Sequence, residues 1–185
     1  MTLHHSKKVI YSLKNIFNIL AKYNEMTNLE MIKILETIES GKLTKDLGSY
    51  YGSILGILNH HLMADIGWLR ALGNNVPSLD FMPPLLNRFP SSRLAPKELY
   101  WVSLKDYKPV RIEIDDLLER VVQSLSESEY NSILKIAARR GEQEYITWRI
   151  LLHLFNHHTH HRGGVALLLD QLGIENDYSS MLWKV

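Results

Sequence analysis

The chain has 185 residues, 45% of them hydrophobic and 22% charged, with a formal net charge of +1. That length supports one domain with a real core, and so small a charge, with Lys and Arg dispersed, argues against a nucleic-acid partner or an anionic membrane surface. There is no cysteine, which excludes disulfides and any protein thiolate acting as nucleophile or metal ligand.

The N-terminus carries His4, His5, Lys7 and Lys8 with no long apolar run after them. No stretch is apolar for long enough to cross a bilayer, so neither a secretory signal nor a membrane span is expected, and the expected address is the cytoplasm. From Leu13 to about Ser40 the residues Ile16, Phe17, Leu20, Tyr23, Leu29, Ile32, Leu35 and Ile38 recur at helical spacing, with Gly41 as the stop and a kink or relay at 24–28. Ser53 can cap a second helix running to about Leu72, ended by Gly73-Asn74-Asn75. Residues 74–104 hold all but one of the prolines, which predicts a long irregular connection.

A third helix begins at Asp106 and carries Val110, Ile112, Ile114, Leu117, Leu118, Val121 and Leu125, ending near Ser126. Tyr130 to Ile136, the turn at Arg139-Arg140-Gly141, and Glu144 to Ile146 read as a short hairpin. The last long helix runs from about Thr147 to Gln171 and stops at Gly173. No internal repeat, low-complexity segment or linker interrupts the chain. The reading is all-α, one domain of four main helices.

Five of the nine histidines, His153, His157, His158, His160 and His161, fall within nine consecutive positions of the last helix, and His60 and His61 adjoin on the second. On a helical wheel Ile150, Leu154, Val165, Leu168 and Leu172 make one stripe, and His157 and His161, one turn apart, fall in its middle. Asn156, Thr159, Arg162 and Asp170 lie away from it. A core-facing histidine needs a hydrogen-bond partner or a metal, and one cation can hold both imidazoles. The absence of a Glu between them argues against the metalloprotease arrangement. His153 is an accessory candidate, while His158 and His160 read as partly exposed boundary residues.

A third ligand is expected from the second helix. There His61 shares a face with Ile54, Leu58, Trp68 and Leu72. His60 shares one with Gly56, Ala64, Gly67 and Ala71, small residues that let a neighbouring helix approach closely. Periodicity leaves the two open.

The segments Leu58-Asn-His-His-Leu-Met-Ala-Asp-Ile-Gly-Trp-Leu-Arg70 and Leu152-His-Leu-Phe-Asn-His-His-Thr-His-His-Arg-Gly163, with Tyr23-Asn24 and Asn28 upstream, resemble the DinB/YfiT-like family in order and spacing over most of the chain. The resemblance implies a four-helix bundle with one metal held by three histidines, which by motif are His60, His157 and His161, and it implies that homodimers are common. The family contains thiol-dependent transferases and isomerases. This chain departs from its pattern at Gly164, where Gln is usual, and in lacking a clear acidic residue around Ser180–Trp183.

Three neutral imidazoles leave a divalent zinc, nickel or iron ion with open positions. The enzymatic expectation is a metal-dependent S-transferase using a low-molecular-weight thiol and a small-molecule substrate, followed by a metal-dependent hydrolase. A non-enzymatic, stress-related binding module with a structural metal is the competing class. Asp65 and Arg162 are candidates for orienting substrate or ligands, weighed against a surface ion pair or a simple structural contact. Tyr23 and Asn24 are candidates for lining the pocket, weighed against helix packing.

Overall fold

The computed structural model describes residues 12–92, 95–138 and 141–185. The basic and histidine-bearing start of the chain, and Arg139 and Arg140 of the expected turn, lie outside the described residues. What is described is mostly helical, with one two-stranded antiparallel sheet.

Helix α1 spans Leu13–Leu35, with the Ser12 side chain accepting from the Asn15 N–H at 3.2 Å as its cap. It ends a turn earlier than its apolar spacing suggests. The Thr37 hydroxyl and N–H both donate to the Ile34 carbonyl, at 2.7 and 3.0 Å, so the chain tightens and leaves the helix. Gly41 is not the stop; it lies inside a short helix, α2, Ser40–Thr44. Residues 24–28 do not interrupt α1, and Asn24, Thr27 and Asn28 are buried there.

Helix α3, Ile54–Asn75, starts where expected, with the Ser53 side chain accepting from the Gly56 N–H at 3.0 Å. The proline-rich connection contains a 3-10 turn, Pro77–Leu79, and a short helix, α4, Met82–Leu86. Helix α5, Leu104–Ser124, is capped by Ser103, which puts Asp106 in its first turn rather than at its start. A one-turn helix, α6, Glu127–Tyr130, opens with a capping box between Ser126 and Glu129.

The hairpin is present. Strand β1, Ile133–Ala138, pairs with β2, Gly141–Ile146, placing Leu134 opposite Tyr145 and Ile136 opposite Gln143. Leu134 and Ile136 are buried while Lys135 is exposed, so one face of the ribbon is turned inward. Helix α7, Thr147–Gln171, follows at once. It ends at Gly173, whose φ of 71° lets the Ile174 N–H turn back to the Leu169 carbonyl at 3.0 Å.

Helix α1 packs on α5 and α7, and α3 packs on the same two. α1 and α5 run antiparallel, since Lys14 reaches the Leu125 carbonyl at one end and Lys108 pairs with Glu36 at the other. One hydrophobic cluster runs through all four long helices and takes in the hairpin's Leu134 and Ile136. At its centre the Phe17 ring stacks on Tyr130 and Phe155, at 5.5 and 6.1 Å. No helix among the described residues is long and apolar enough to cross a membrane.

Candidate metal centre

Helices α3 and α7 lie side by side, and His60 on the first meets His157 and His161 on the second. The ring centroids stand 5.4 Å apart for His60–His157, 4.8 Å for His60–His161 and 4.2 Å for His157–His161. One nitrogen from each ring can be chosen so that all three lie within 4.8 Å of one another. The Nε2 atoms of His157 and His161 are 2.9 Å apart.

Burial pushes the His157 imidazole down to about 4, against the opposing pull of Asp65. Burial, then the neighbouring imidazoles of His157 and His60, push His161 down to about 3. Both rings are therefore neutral near pH 7, with lone pairs available. Nitrogens bind zinc at ~2.0–2.1 Å, so donors on one ion stand roughly 3–4 Å apart. The cluster matches that need with little adjustment. The donor set, three imidazoles with a nitrogen each close together, two of them held neutral by burial, is the chemistry a divalent ion requires.

A second grouping, His61, Asp65 and His157, also lies within 4.8 Å. It is already engaged. Asp65 Oδ2 accepts from Arg111 Nη1 at 2.5 Å, its Oδ1 lies 3.0 Å from His158 Nε2, and His61 Nε2 stands 3.8 Å from Oδ2. A guanidinium on the carboxylate opposes a dication there.

That carboxylate belongs to a buried network behind the histidines. Arg111 donates to Asp65 and, through Nε and Nη2, to Asp115 at 3.1 and 2.8 Å. The side-chain amides of Asn24 and Asn28 donate to Asp115 at 2.9 and 3.0 Å, and Arg162 Nη1 donates to Asn24 at 2.5 Å. Two guanidinium groups thus balance two carboxylates across four helices. Burial raises the Asp65 carboxyl, but His158, His61 and Arg111 more than reverse this and hold it well below the usual carboxylate range. His61 and His158 are themselves pushed down by burial, so Arg111 is the standing charge that keeps Asp65 ionised.

Several expectations need correction. His158 is not a boundary residue; it is 0% exposed, because Asp65 and the His61 ring of α3, the latter with centroids 4.0 Å away, meet the flank of α7 that the wheel leaves beside the main stripe. His160 is exposed as expected. Asp65 and Arg162 are not surface groups, at 1% and 4% exposure. Tyr23 does not line the histidines' pocket. It lies with Arg162 on a separate cavity of about 270 Å³, its hydroxyl donating to the Tyr178 carbonyl at 2.5 Å. His153 is exposed and sits edge-on to Trp68, with ring centroids 5.4 Å apart.

The small residues that share the His60 face do not admit a helix. A Cβ on Gly56 would come 2.1 Å from the Tyr51 carbonyl oxygen, so that glycine admits the loop before α3. Ala64, Gly67 and Ala71 line a cleft of about 490 Å³ that begins at His60.

Sequence reasoning passed over Tyr51, whose ring stacks on His60 at 4.1 Å and meets His161 edge-on at 5.7 Å. No periodicity flags a residue in the loop before a cap. It also passed over Arg111 and Asp115, though their four-residue spacing on the core face of α5, beside Ile114 and Leu118, was a readable signal of a buried pair.

A histidine cluster suited to one divalent ion, clamped between two helices of a mostly helical protein, defines the class. The DinB family's sequence profile matches residues 12–184, and the chain belongs to the DinB family. It is 22% identical over 156 residues to Protein DinB of Bacillus subtilis (strain 168), an alignment spanning 83% of this chain and 84% of that protein.

Proposed function

We propose that this protein binds one divalent metal ion through His60, His157 and His161 and uses it as an S-transferase acting on a low-molecular-weight thiol and a small-molecule electrophile. The observation that carries the reading is that His60 belongs both to the histidine cluster and to the lining of the 490 Å³ cleft. A metal that only stapled two helices would want a sealed site; this one opens on space large enough for a small molecule. The four long helices then serve as the family's four-helix bundle.

The chemistry a bound ion supplies is Lewis acidity, which favours the thiolate form of a thiol near neutral pH. The protein's own residues present three imidazoles, fix the His60 ring beneath Tyr51, and keep the buried carboxylate of Asp65 on Arg111. Thiol transfer needs no protein base once the thiol's proton has passed to solvent water: the sulfur lone pair makes the S–C bond and the leaving group departs with its electron pair. A hydrolase would call on a general base, and the nearest carboxylate, Asp65, is occupied by Arg111. Family resemblance adds a homodimer to the proposal, and a cytoplasmic address completes it.

Elemental analysis of protein purified without tag or chelator tests the first step, and one divalent ion per chain is expected. The second step is read as consumption of a small thiol with a haloarene electrophile, lost in His157→Ala. Bound metal without thiol consumption would leave the stapling role; no bound metal would sink the reading. Light scattering at twice the 21.5 kDa chain mass checks the dimer.

A further inference from the structure

We infer that the cavity of about 270 Å³ between α1, α7 and the C-terminal tail is a second binding site, separate from the histidine cluster, for a small zwitterion whose carboxylate and ammonium stand apart. Its lining takes in Tyr23 of α1, Arg162 and Asp170 of α7, and Asp177 and Tyr178 of the tail. The tail is folded back and fastened, so the cavity is preformed. The Tyr23 hydroxyl donates to the Tyr178 carbonyl at 2.5 Å, and Asn176 Nδ2 donates to Asp170 Oδ1 at 2.9 Å. Further on, Lys184 pairs with Glu30 of α1.

Arg162 supplies the cationic end. It is 4% exposed, and its guanidinium lies over the Tyr23 ring, 5.4 Å from the centroid. Its hydrogen bonds go to uncharged oxygens, Asn24 Oδ1 at 2.5 Å and Asn28 Oδ1 at 3.5 Å, and both leave from Nη1. Arg111 bridges the network's two carboxylates, Asp65 and Asp115. Arg162 therefore balances them from a distance, keeps its charge at the cavity wall, and has Nε and Nη2 donating to no described residue. A guanidinium so placed takes a carboxylate through paired N–H groups, and a buried charge gains most from such a partner.

Asp170 and Asp177 supply the anionic end. Asp170 follows Arg162 by eight residues on α7, about 12 Å along the axis, so the two signs are separated. Both aspartates are exposed. Asp170 Oδ1 accepts from Asn176, and Asp177 Oδ1 accepts from the Ser179 N–H and hydroxyl at 2.8 and 2.7 Å. These neutral donors orient each carboxylate and leave its charge in place. A ligand with a carboxylate at one end and an ammonium at the other meets an opposite charge at both ends. A ligand with one charge is matched at one end alone.

Calorimetric titration with 6-aminohexanoate, hexanoate and hexylammonium tests this, on the protein as purified and after chelator treatment. The zwitterion should bind at least tenfold more tightly than either single-charge probe, and equally well in both preparations. The double variant Asp170→Asn, Asp177→Asn replaces two exposed carboxylates by amides of the same shape. It should keep its thermal midpoint and bind the zwitterion at least tenfold more weakly. Arg162→Met should lose binding altogether; if that variant fails to fold, the double variant decides. A zwitterion that does not bind, a single-charge probe that binds as tightly, or unchanged binding in the double variant would each overturn the inference. Binding lost on chelation would place the ligand at the histidines and overturn the second site. Binding with these properties in a wild type that holds no metal would leave this site standing while the proposed metal centre failed.

Discussion

The Nε2 atoms of His157 and His161 face each other at 2.9 Å across one turn of α7. Without a metal one imidazole must donate to the other, which fixes one tautomer on each ring. With a metal both present lone pairs to the same ion. His157→Ala and His161→Ala should each abolish stoichiometric metal by elemental analysis, while exposed His160→Ala should leave it intact. His158→Ala should also retain metal, though at a cost in stability, because it empties a fully buried position. Metal retained in the first two variants would sink the ligand assignment.

His60 and His61 adjoin, yet one stacks under Tyr51 at the cleft and the other points to Asp65. His60→Ala should lose metal; His61→Ala should keep it. The reverse result would move the site onto His61, Asp65 and His157, and would require Arg111 to release Asp65.

The long helices and the Ser53 cap were legible because periodicity and capping are local. Ser53, Gly173 and the span of α7 follow from residues within a turn of each other. The hairpin was legible from alternation around a glycine. The early end of α1 was not, because a single hydroxyl at Thr37 decided it. The His157–His161 pair was visible on one wheel, but choosing His60 over His61 took the family resemblance, since a wheel cannot tell which neighbour will cover each face. For the same reason the small-residue face was misjudged. Gly56, Ala64, Gly67 and Ala71 say that something comes close or that nothing does; only the fold separates the loop at Gly56 from the cleft at Gly67.

Arg111 is 0% exposed and holds two buried carboxylates, Asp65 and Asp115. Removing one partner from a buried ion pair costs about 3–5 kcal/mol, because the charges left behind are unpaired in a medium that solvates them poorly. Arg111→Met should therefore lower stability by about that amount in urea denaturation. Arg111→Lys should recover only part of it, since an ammonium cannot reach both carboxylates as a planar fork does. A methionine variant as stable as wild type would mean that the network contributes nothing to the fold.

The metal-free protein should weaken on mild acidification. In the unfolded chain each histidine takes up a proton near its ordinary pKa of about 6.5. In the folded chain burial holds His157 down to about 4 and His161 to about 3, with His61 and His158 also depressed. Below pH 6.5 the unfolded state gains protons that the folded state refuses, so stability falls as pH drops and stops falling only below the folded pKa values. The urea midpoint of chelator-treated protein should drop steadily from pH 7 to pH 4 and stay flat above pH 7. A midpoint constant from pH 7 to pH 5 would show that these rings charge freely inside the fold.

Glycines on the two histidine-bearing helices answer differently to the same methyl group. Gly163 lies exposed in the interior of α7, and a Cβ there meets nothing within 4 Å. At Gly164 the nearest atom is Ile57 Cδ1 at 3.5 Å, an ordinary contact. Alanine at either position should stabilise by about 0.5–1 kcal/mol, through lost backbone freedom in the unfolded chain. In a chain of this size that raises the thermal midpoint by roughly 1–4 °C. Gly56→Ala should do the opposite. Its Cβ would meet the Tyr51 carbonyl oxygen at 2.1 Å and force the loop off α3. The Tyr51 ring would then shift from His60, so this variant should lose stability and bind metal more weakly. Equal stability for Gly56→Ala and Gly163→Ala would mean that the close approach of residue 51, and with it the stack on His60, is not held by the fold.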